Sequence, residues 1–442
     1  MTFTGDVVDL VVERVVPGGE GLARLGGVVT LVSGALPGDS IQALVDEAGP
    51  RLVRARTLSV QGPGPHRRVE GDVCPRAVDG TCGGCDWPAA RPASHEELKR
   101  ALVLDALRRI GGIAPASLPT LRWYGSPAGY RLRSRLHVDG AGRVGFFAPR
   151  STTVSPLTAC ELLSPQLLAR LPAIAAAFAS AAAAGEEVAG DLRTLETPDG
   201  GTLLGELSAS HKVRDAAALA ERLLGPLDGI RVVGPGLRSA SRGPASLLMR
   251  VGAASFRVSV SSFFQGNRFL LEAFLDEVRR LVAAGIAGAP GGAVGSLLDL
   301  YAGCGFLSRP LAETGLPATA VESDPSSAAD LEANVASWRR EGLTSLRGVR
   351  ATVEGFVARD SSLPGLVVAD PPRAGLGPSI RRAILARAPA ALVLVSCDPA
   401  TLARDLKELV TAYDVEDGAL LDLFPGTHHL ETLLLLRRRR RE

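Results

Sequence analysis

Four side chains that could take part in chemistry lie within or directly after short apolar runs in the second half of the sequence. Runs of this length, rich in Val, Leu and Ala and bounded by Gly or Pro, predict buried strands of a parallel sheet. Ligands of open α/β sheets bind outside the carboxyl ends of the strands, so we expect the four side chains to face one crevice. They are Asp299, Glu322, Asp370 and Cys397.

The order of elements around these residues points to the same architecture. Apolar runs alternate with glycine loops and with stretches of helical periodicity, which is the pattern of a doubly wound α/β domain. We therefore predict a Rossmann-like domain in residues 256–442. The predicted strands are 296–301, 318–322, 365–370 and 391–396, and the predicted helices are 307–314 and 326–340.

The loop after the first of these strands has the pattern Gly303-x-Gly305-x-x-Ser308. Such glycines let the backbone approach a nucleotide closely, and an acid at the end of the next strand, here Glu322, can accept hydrogen bonds from ribose hydroxyls. A dinucleotide-dependent oxidoreductase would fit this loop as well. Hydride transfer needs no cysteine at a strand end, whereas methyl transfer to a poor carbon nucleophile does, so Cys397 favours a methyltransferase.

Six ordered stretches of the sequence resemble the RNA 5-methyluridine (uracil-C5) methyltransferase family. Several matches in the same order are far more specific than any single motif. The resemblance implies a class I fold that binds S-adenosyl-L-methionine and an activity that forms 5-methyluridine in RNA. The stretches are FFQGN at 263–267, DLYAGCG at 299–305, VE at 321–322, DPPR at 370–373, SCDP at 396–399 and THHLE at 427–431.

The resemblance also implies roles for individual residues. Cys397 would be the nucleophile and Glu431 the general base. Carbon 5 of uracil is a weak nucleophile, and addition of a thiolate to carbon 6 turns it into an enolate that can attack a methyl group; a base then removes the proton from carbon 5. The target base would have to flip out of its stack. The residues assigned to S-adenosylmethionine or the target base are Gln265, Tyr301, Gly303, Glu322 and Asp370.

Four cysteines outside the Rossmann-like domain are candidate metal ligands: Cys74, Cys82, Cys85 and Cys160. Sets of four cysteines bind either zinc or an iron–sulfur cluster, and spacing does not separate the two. The stretch CGGCD at 82–86 resembles family members in which three close cysteines and a fourth downstream bind a [4Fe-4S] cluster, which favours iron–sulfur over zinc. The first gap is longer here than is usual in those proteins, so we expect its loop to bulge.

Some positions near the predicted site depart from the family pattern. A helix predicted to begin near Pro399 should lower the pKa of Cys397. Asp398 stands where the family usually has Asn, and a carboxylate beside a thiol opposes its ionisation. Phe306 and Arg309 also differ from the usual residues of the loop helix. A second interpretation is therefore a non-catalytic RNA-binding iron–sulfur protein with a degenerate methyltransferase fold.

Residues 1–60 consist of short β-branched runs between Gly and Pro turns, which predicts a small β-barrel. GEGLAR at 19–24 and LPGD at 36–39 resemble the TRAM domain, an OB-like module used for RNA contact. Residues 61–255 are predicted to form a central α+β domain that carries the cysteine set.

Two features of the predicted central domain bear on structure and RNA contact. A helix is predicted over 94–110, with Ser94 as its N-cap. In a strand pair that follows, a period of two places Arg131, Arg133 and Arg135 on one face, which is either solvated or RNA-facing. Cys304, inside the glycine loop, is predicted to be structural.

Composition limits the possible partners. The net charge is only +2, so any RNA site must be a local basic surface. The acidic start of the chain is unlike a signal peptide, and the alanine-rich run at 173–184 is too short to span a bilayer. We expect a cytoplasmic monomer that acts on RNA and does not bind membranes. The barrel and the cysteine set together resemble the ribosomal RNA branch of the family, with tRNA as the alternative substrate.

Overall fold

The computed structural model describes residues 3–69, 71–236, 239–289, 294–359 and 365–439. In chain order these residues form a β-barrel, a central region of mixed sheet and helix, and a large doubly wound sheet. The α/β architecture predicted from the sequence is therefore confirmed. Residues 1, 2 and 440–442, which belong to the first and last predicted domains, lie outside the described residues.

Six described strands form the N-terminal sheet: β1 (Val7–Val11), β2 (Arg14–Val15), β3 (Gly21–Leu25), β4 (Val28–Ser33), β5 (Ser40–Ala48) and β6 (Leu52–Gly62). Their order across the sheet is β1-β5-β6-β4-β3-β2, and β1 also packs against β3, so the sheet curls into a barrel. Burial alternates along β5, where Ile41, Ala43 and Val45 point into the barrel core. The alternation follows from the two-residue period of a strand with one buried face.

Asp39, in the LPGD turn, ties the barrel to the segment that follows it. Its buried carboxylate accepts hydrogen bonds from the backbone N–H groups of Leu36 and Gly64, both at 2.8 Å, and from Nε of Arg67 at 3.0 Å. A buried carboxylate is tolerated when it is paired and hydrogen-bonded in this way. Asp39 therefore fixes the direction in which the chain leaves the barrel towards the cysteine segment.

The expected bulge between Cys74 and Cys82 is a turn of helix, α1 (Pro75–Val78). The predicted helix over 94–110 is confirmed as α2 (His95–Arg109). Its predicted capping by Ser94 is wrong, because the Ser94 side chain makes no capping hydrogen bond. A 3-10 turn precedes α2 and holds Ser94 in a helical conformation, so its hydroxyl does not face the free N–H groups.

The central sheet contains seven described strands in the order β10-β9-β8-β11-β12-β13-β14. Before it, β7 (Arg122–Tyr124) leaves this region to join the C-terminal sheet. The seven strands are β8 (Arg133–Val138), β9 (Val144–Phe147), β10 (Val154–Pro156), β11 (Gly190–Glu196), β12 (Leu203–Ala209), β13 (Gly229–Val233) and β14 (Ala240–Arg242). Two helices, α3 (Pro165–Ala183) and α4 (Ala216–Leu223), share a core with the sheet.

Of the described helices, α3 is the one that is long and apolar enough to cross a membrane by length and composition. It extends further towards the N-terminus than the alanine-rich run at 173–184. Leu167, Leu171, Ile174 and Phe178 recur at helical spacing and pack into the core of the central sheet. A core helix meets the same length and composition criteria, so this finding is weak evidence for a membrane segment.

A hairpin of β15 (Ser246–Val251) and β16 (Ala254–Ser259) leads into the C-terminal sheet. The sheet has the order β19-β18-β17-β20-β21-β23-β22-β7. Strands β17 to β21 are parallel to one another. Strand β23 is antiparallel to both of its neighbours, β21 and β22. The new strands are β17 (Leu297–Leu300), β18 (Ala318–Glu322), β19 (Leu346–Arg350), β20 (Leu366–Ala369), β21 (Ala391–Ser396), β22 (Tyr413–Leu421) and β23 (Glu431–Arg438).

Separate apolar cores cover the two faces of this sheet, as expected of a doubly wound domain. Alternate residues of β17 go to different cores: Leu297 packs on the side of α5, and Leu298 packs on the side of α9 and α10. The helices are α5 (Leu271–Ala287), α6 (Ser308–Glu313), α7 (Pro325–Arg340), α8 (Val353–Arg359), α9 (Pro378–Arg387) and α10 (Pro399–Leu409).

Two elements between residues 61 and 255 are joined to the C-terminal domain: a strand that extends its sheet and a helix that packs on it. Strand β7 pairs with β22 at the edge of the sheet, where it covers otherwise unpaired backbone groups. Helix α2 packs on α10 and buries Val103 and Leu107 in the same core as Leu402. The predicted central domain thus contributes a strand and a helix to the domain that follows it.

Replacing Asp39 with Ala should destabilise the barrel, because it leaves Arg67 without its buried anion and two backbone donors without an acceptor. Breaking a buried pair from one side costs about 3–5 kcal/mol. Hydrogen exchange measured by mass spectrometry should show faster exchange across residues 7–62. The control is Asp46→Ala, which removes ion pairs to Arg56 and Arg150 at the surface and should cost about 1 kcal/mol or less. Equal effects of the two changes would contradict the prediction.

Candidate active site

The loop after β17 is shaped by residues with positive φ. Tyr301 has φ +64° and Gly303 has φ +57°. A side chain at Gly305 would collide with the core, since a Cβ there would lie 2.9 Å from Leu331 and 3.0 Å from Trp338. Glycine is therefore required for the loop to pack against α7. Tyr301 adopts the left-handed conformation without being glycine, a strain that concentrates at functional sites.

Of the acids predicted to form the nucleotide site around this loop, Glu322 lies at the carboxyl end of its strand and Asp299 lies within its strand. Glu322, at the end of β18, accepts hydrogen bonds from the backbone N–H groups of Gly303 at 2.8 Å and Ser323 at 2.7 Å. Asp299, inside β17, is fully buried and accepts a hydrogen bond from the Ser308 hydroxyl. Burial raises the pKa of Asp299 to about 7. The two carboxylates thus hold both ends of the glycine loop in place.

Gln265 and Tyr301 lie on separate segments, and Tyr301 directly follows β17. Gln265 is largely buried, and the next residue, Gly266, accepts a hydrogen bond at 2.8 Å from the backbone N–H of Leu132. The central domain therefore fixes the Gln265 segment from outside the C-terminal sheet. Tyr301 is partly buried, and burial raises the pKa of its hydroxyl to about 12.

Cys397, Asp370 and Glu431 come from three adjacent strands. Asp370 directly follows β20, Cys397 directly follows β21, and Glu431 begins β23, which pairs with β21. Burial, then the charges of Glu431 and Asp370, raises the pKa of the Cys397 thiol to about 12. The three groups are therefore close enough to affect one another's ionisation.

Glu431 is the most unusual group of the three. Its side chain is buried, and Oε1 has no hydrogen-bond partner among the described residues. Burial, with a further contribution from the Asp370 charge, raises the pKa of Glu431 well above its usual value. Burial also raises the pKa of Asp370 to about 7. A buried carboxyl without a partner is costly, which is typical of a group held ready to exchange a proton.

The expected lowering of the Cys397 pKa by the following helix is wrong for this structure. Helix α10 begins at Pro399, as predicted, but burial and the charges of Glu431 and Asp370 raise the pKa of Cys397. The Asp398 carboxylate caps α10, where Oδ1 accepts a hydrogen bond from the backbone N–H of Thr401 at 2.7 Å. The Asp398 charge still raises the pKa of Cys397, as expected from the sequence, but burial and the charges of Glu431 and Asp370 contribute more.

Phe306 and Arg309, the other departures from the family pattern, have structural roles. The Phe306 ring packs among three other phenylalanine rings. Its centroid lies 5.3 Å from that of Phe264 and 5.5 Å from those of Phe256 and Phe274. Arg309 donates to Glu313 at 2.9 Å and to Glu341 at 2.7 Å. Both side chains face the core or the helix surface rather than the strand ends, so neither departure changes the crevice. The thiol of Cys304 is buried, in agreement with the structural role predicted for it.

Sequence reasoning did not assign a role to Arg373 or His429, although both lie in the matched motifs. The Arg373 guanidinium contacts Nε2 of His429 at 3.3 Å. Burial, followed by the His428 charge, lowers the pKa of His429 to about 4. The Arg373 charge partly offsets the rise in the pKa of Cys397 and thus favours the thiolate. The position of Arg373 directly after Asp-Pro-Pro, within a matched motif, is the feature of the sequence that could have identified it as a site residue.

Arg373 and His429 also line a cavity of about 360 Å³ together with Arg131 and Arg133 from the central domain. Arg133 has a buried Nη1 without a hydrogen-bond partner among the described residues, and burial lowers its pKa to about 10. Its guanidinium lies 5.9 Å from the centre of the exposed Phe263 ring. Arg135, in contrast, pairs with Asp191 on the surface. The cavity thus brings three arginine side chains together, and one of them, Arg373, also acts on the pKa of Cys397.

The four candidate metal ligands line a single cavity of about 80 Å³. None of these cysteines forms a disulfide. Burial, then the charge of Cys160, raises the pKa of Cys85 to about 12. Within the described ranges, no three His, Cys, Asp or Glu side chains are placed to hold a metal ion. The structure therefore brings Cys74, Cys82, Cys85 and Cys160 around one space but not to the spacing of a single bound ion.

The fold and the crevice define an S-adenosyl-L-methionine-dependent methyltransferase. A family model for tRNA (uracil-5-)-methyltransferases matches residues 255–439, and a model of the TRAM domain matches residues 2–58. An RNA methyltransferase of Corynebacterium efficiens is 31% identical over 445 residues, which cover 97% of this chain and 94% of the relative. An RNA methyltransferase of Gloeobacter violaceus is 30% identical over 466 residues, which cover 98% and 97%.

A solved structure shares the fold over almost the whole chain. The tRNA (uracil-54, C5)-methyltransferase of Pyrococcus abyssi, in complex with S-adenosyl-L-homocysteine, aligns with a TM-score of 0.69 at 20% identity and covers 97% of this chain and 100% of that chain. With these similarities, the chain belongs to the family of S-adenosyl-L-methionine-dependent RNA (uracil-5-) methyltransferases. It is an enzyme of RNA modification with an N-terminal TRAM domain.

Replacing Glu431 with Gln should lower the pKa of Cys397, because Glu431 is the charge that most opposes ionisation of this thiol. A shift of about one pKa unit raises the thiolate fraction about tenfold. Iodoacetamide should therefore alkylate Cys397 about tenfold faster in the variant at mildly alkaline pH, as followed by peptide mass spectrometry. Glu416→Gln, a change at an exposed ion pair with Arg437, is the control. An unchanged rate in the Glu431 variant would contradict this account.

Proposed function

We propose that this enzyme forms 5-methyluridine in RNA with Cys397 as the nucleophile and Glu431 as the general base. The observation that carries the proposal is the grouping, at adjoining strand ends, of the half-buried Cys397 thiol, the half-buried Asp370 carboxyl and the buried Glu431 carboxyl, all with raised pKa values. A thiol and a proton acceptor are the two groups that methylation of uracil carbon 5 requires.

In the first step the sulfur of Cys397 adds to carbon 6 of the uracil. The S–C6 bond forms, the thiol loses its proton, and the electrons of the C5=C6 double bond move to the uracil oxygen to give an enolate. The resting thiol is neutral because its pKa is raised to about 12. The proton therefore leaves as the bond forms, and Asp370, with a pKa raised to about 7, can exchange a proton near neutral pH.

When bound, S-adenosyl-L-methionine would supply a sulfonium methyl group; as the bond from carbon 5 to the methyl group forms, the S–CH3 bond breaks and S-adenosyl-L-homocysteine is left. The residues proposed to hold it are Gln265, Tyr301, Gly303, Glu322 and Asp370. In the last step a Glu431 oxygen removes the proton from carbon 5, the C–H electrons restore the C5=C6 double bond, and the Cys397 sulfur leaves carbon 6. For this step Glu431 must be in its ionised form; its raised pKa then makes the carboxylate a stronger base than usual, and Oε1 has no hydrogen-bond partner among the described residues.

The basic cavity supports RNA as the polymer that carries the target base. Arg131, Arg133 and Arg373 line it, and arginine forks match the geometry of phosphate oxygens. A phosphate of the flipped nucleotide would supply the partner that Nη1 of Arg133 lacks. The exposed ring of Phe263 offers a stacking surface beside it.

We favour large-subunit ribosomal RNA as the substrate, because the barrel and the cysteine set together resemble the ribosomal RNA branch of the family. A tRNA substrate is the second candidate. The observation in its favour is the likeness in fold, over almost the whole chain, to the tRNA enzyme of Pyrococcus abyssi. Because this likeness includes the barrel and the central domain, these regions do not distinguish a ribosomal RNA enzyme from a tRNA enzyme. For either RNA we infer a cytoplasmic, monomeric enzyme.

The covalent step can be tested with 5-fluorouridine, which has no proton on carbon 5 and so arrests the reaction after methyl transfer. Transcripts of large-subunit ribosomal RNA and of tRNA, each containing 5-fluorouridine, should be incubated separately with enzyme and S-adenosyl-L-methionine. A protein–RNA adduct on a denaturing gel is expected with ribosomal RNA. It should be absent for Cys397→Ala and retained for Glu431→Gln, because the base acts only after the arrested step.

The outcomes of that experiment separate the claims. An adduct with tRNA alone would show that tRNA, and not ribosomal RNA, is the substrate. The absence of an adduct with both RNAs, or an adduct that persists in Cys397→Ala, would overturn the proposed chemistry.

We also propose that Cys74, Cys82, Cys85 and Cys160 hold a [4Fe-4S] cluster. The support is that all four line one cavity without disulfides, yet are not placed to hold a single ion. A cubane offers a separate iron atom to each cysteine, so its ligands stand farther apart than the four ligands of one zinc ion. When bound, the cluster would supply a covalent cross-link between the cysteine segment and the central sheet.

Metal analysis distinguishes the two cofactors. Protein purified without oxygen should contain iron and acid-labile sulfide in equal amounts, and Cys82→Ser should lower both. Cys304→Ser, at a buried thiol outside the set, should leave the iron content unchanged. Zinc in place of iron in the unaltered protein would contradict the cluster assignment.

A further inference from the structure

The loop directly before the proposed base, Glu431, is attached by the Asp86 side chain to the segment that contains the first three cysteines of the set. Asp86, directly after Cys85, accepts a hydrogen bond from the backbone N–H of His428 at 3.0 Å, and its other oxygen contacts Nδ1 of the same histidine. His428 lies three positions before Glu431. The contact therefore joins two segments that are more than three hundred residues apart in the sequence.

The barrel closes over this pair from outside. A Cβ at Gly19, in the turn before β3, would lie 2.8 Å from an Asp86 carboxylate oxygen and 2.8 Å from Nδ1 of His428. Next to Asp86, the buried Trp87 donates its indole N–H to the Gly19 carbonyl at 2.8 Å and its backbone N–H to the Gly426 carbonyl at 3.0 Å. The barrel, the cysteine segment and the loop before β23 therefore meet at Asp86 and Trp87.

The other attachments of this loop come from elsewhere. The buried Lys99 of α2 donates to the carbonyls of Phe424 at 3.0 Å and His429 at 2.8 Å and pairs with Asp422. Asn267 donates to the Leu423 carbonyl at 3.0 Å. These contacts hold the loop on both sides of residues 425–428. Among the described residues, Asp86 is the side chain that holds His428 itself.

We propose that Asp86 is a positioning residue that sets the alignment of Glu431 through His428. This inference rests on the proposed function, in which Glu431 removes the carbon 5 proton in the final step. The Cys397 sulfur then leaves carbon 6 as the C5–H electron pair forms the double bond. Misalignment of a reacting group by a fraction of an ångström to one ångström can slow a step about a hundredfold. Loss of the Asp86 contact slows this step and leaves the two earlier steps intact.

Slowing of the last step has a direct readout. The RNA would remain attached to Cys397 after it has received its methyl group, so a covalent adduct that carries the label accumulates from ordinary uridine RNA. We would use S-adenosyl-L-methionine with a tritium-labelled methyl group and unmodified transcripts of ribosomal RNA and tRNA. The ratio of labelled adduct to released 5-methyluridine should rise about 10- to 100-fold in Asp86→Asn.

Two further variants test the path of the effect. His428→Ala removes the contact between Nδ1 and Asp86 but keeps the bond from the backbone N–H of His428, so it should raise the ratio in the same direction. The double variant should give no larger rise than Asp86→Asn alone, because both changes act on the one interaction between Asp86 and His428. Glu431→Gln marks the ratio expected when the base is lost altogether. The control is Asp191→Asn, which breaks another aspartate–histidine pair, with His137 at 2.8 Å in the central sheet, and should leave the ratio unchanged.

The results decide between the inference and the function on which it rests. Accumulation of labelled adduct in both single variants, with iron content and RNA affinity unchanged, supports the positioning role. Slower turnover without adduct, equal ratios in all variants, or a rise in Asp191→Asn as large as that in Asp86→Asn would overturn it. If the unaltered enzyme yields neither adduct nor 5-methyluridine, the proposed function itself is overturned.

Discussion

The parallel pairing of β18, β17, β20 and β21 is the constraint on which the rest of the site depends. Parallel strands end at the same edge of their sheet, so residues that directly follow them meet even when they are far apart in sequence. Here that edge receives the glycine loop, Glu322, Asp370 and Cys397. Strand β23, inserted antiparallel between β21 and β22, adds Glu431 at its first residue.

Burial then determines the chemical state of these groups. The thiol and both neighbouring carboxyls have raised pKa values because a charge in a low-dielectric crevice is poorly solvated. Each group is therefore held in its protonated form to a higher pH than it would be in water. Arg373 is the charge that partly opposes this effect. The site is set up for proton exchange rather than for a permanently charged thiolate.

The three regions of the chain are joined around the loop that precedes β23. Lys99 of α2 caps carbonyls of this loop, and Trp87 of the cysteine segment connects it to the barrel. Arg131 and Arg133 of the central domain reach the same neighbourhood from the other side and line the basic cavity. The barrel and central domain thus help to hold the loop that precedes β23 in place.

Much of the C-terminal fold was predictable because its information is local. The strands at 318–322 and 391–396 coincide with β18 and β21, since a buried parallel strand is a continuous apolar run bounded by loops. The motifs also identified Cys397 and Glu431 as candidates. Their proposed roles stay predictions, but their proximity follows from the strand order.

Other features depended on contacts between distant segments and could not be found by inspection of local patterns. The pKa of Cys397 is raised and not lowered, because the dominant effect is burial among groups from three strands. The sequence showed that Asp398 opposes ionisation of the thiol, but not that its carboxylate also caps α10. The placement of β7, the basic cavity and the Asp86–His428 contact all join distant parts of the chain. The sequence by itself determined which elements form and which side chains follow them, because periodicity and turns are local; tertiary structure decided the charge, partners and support of those side chains, because these depend on what packs around them.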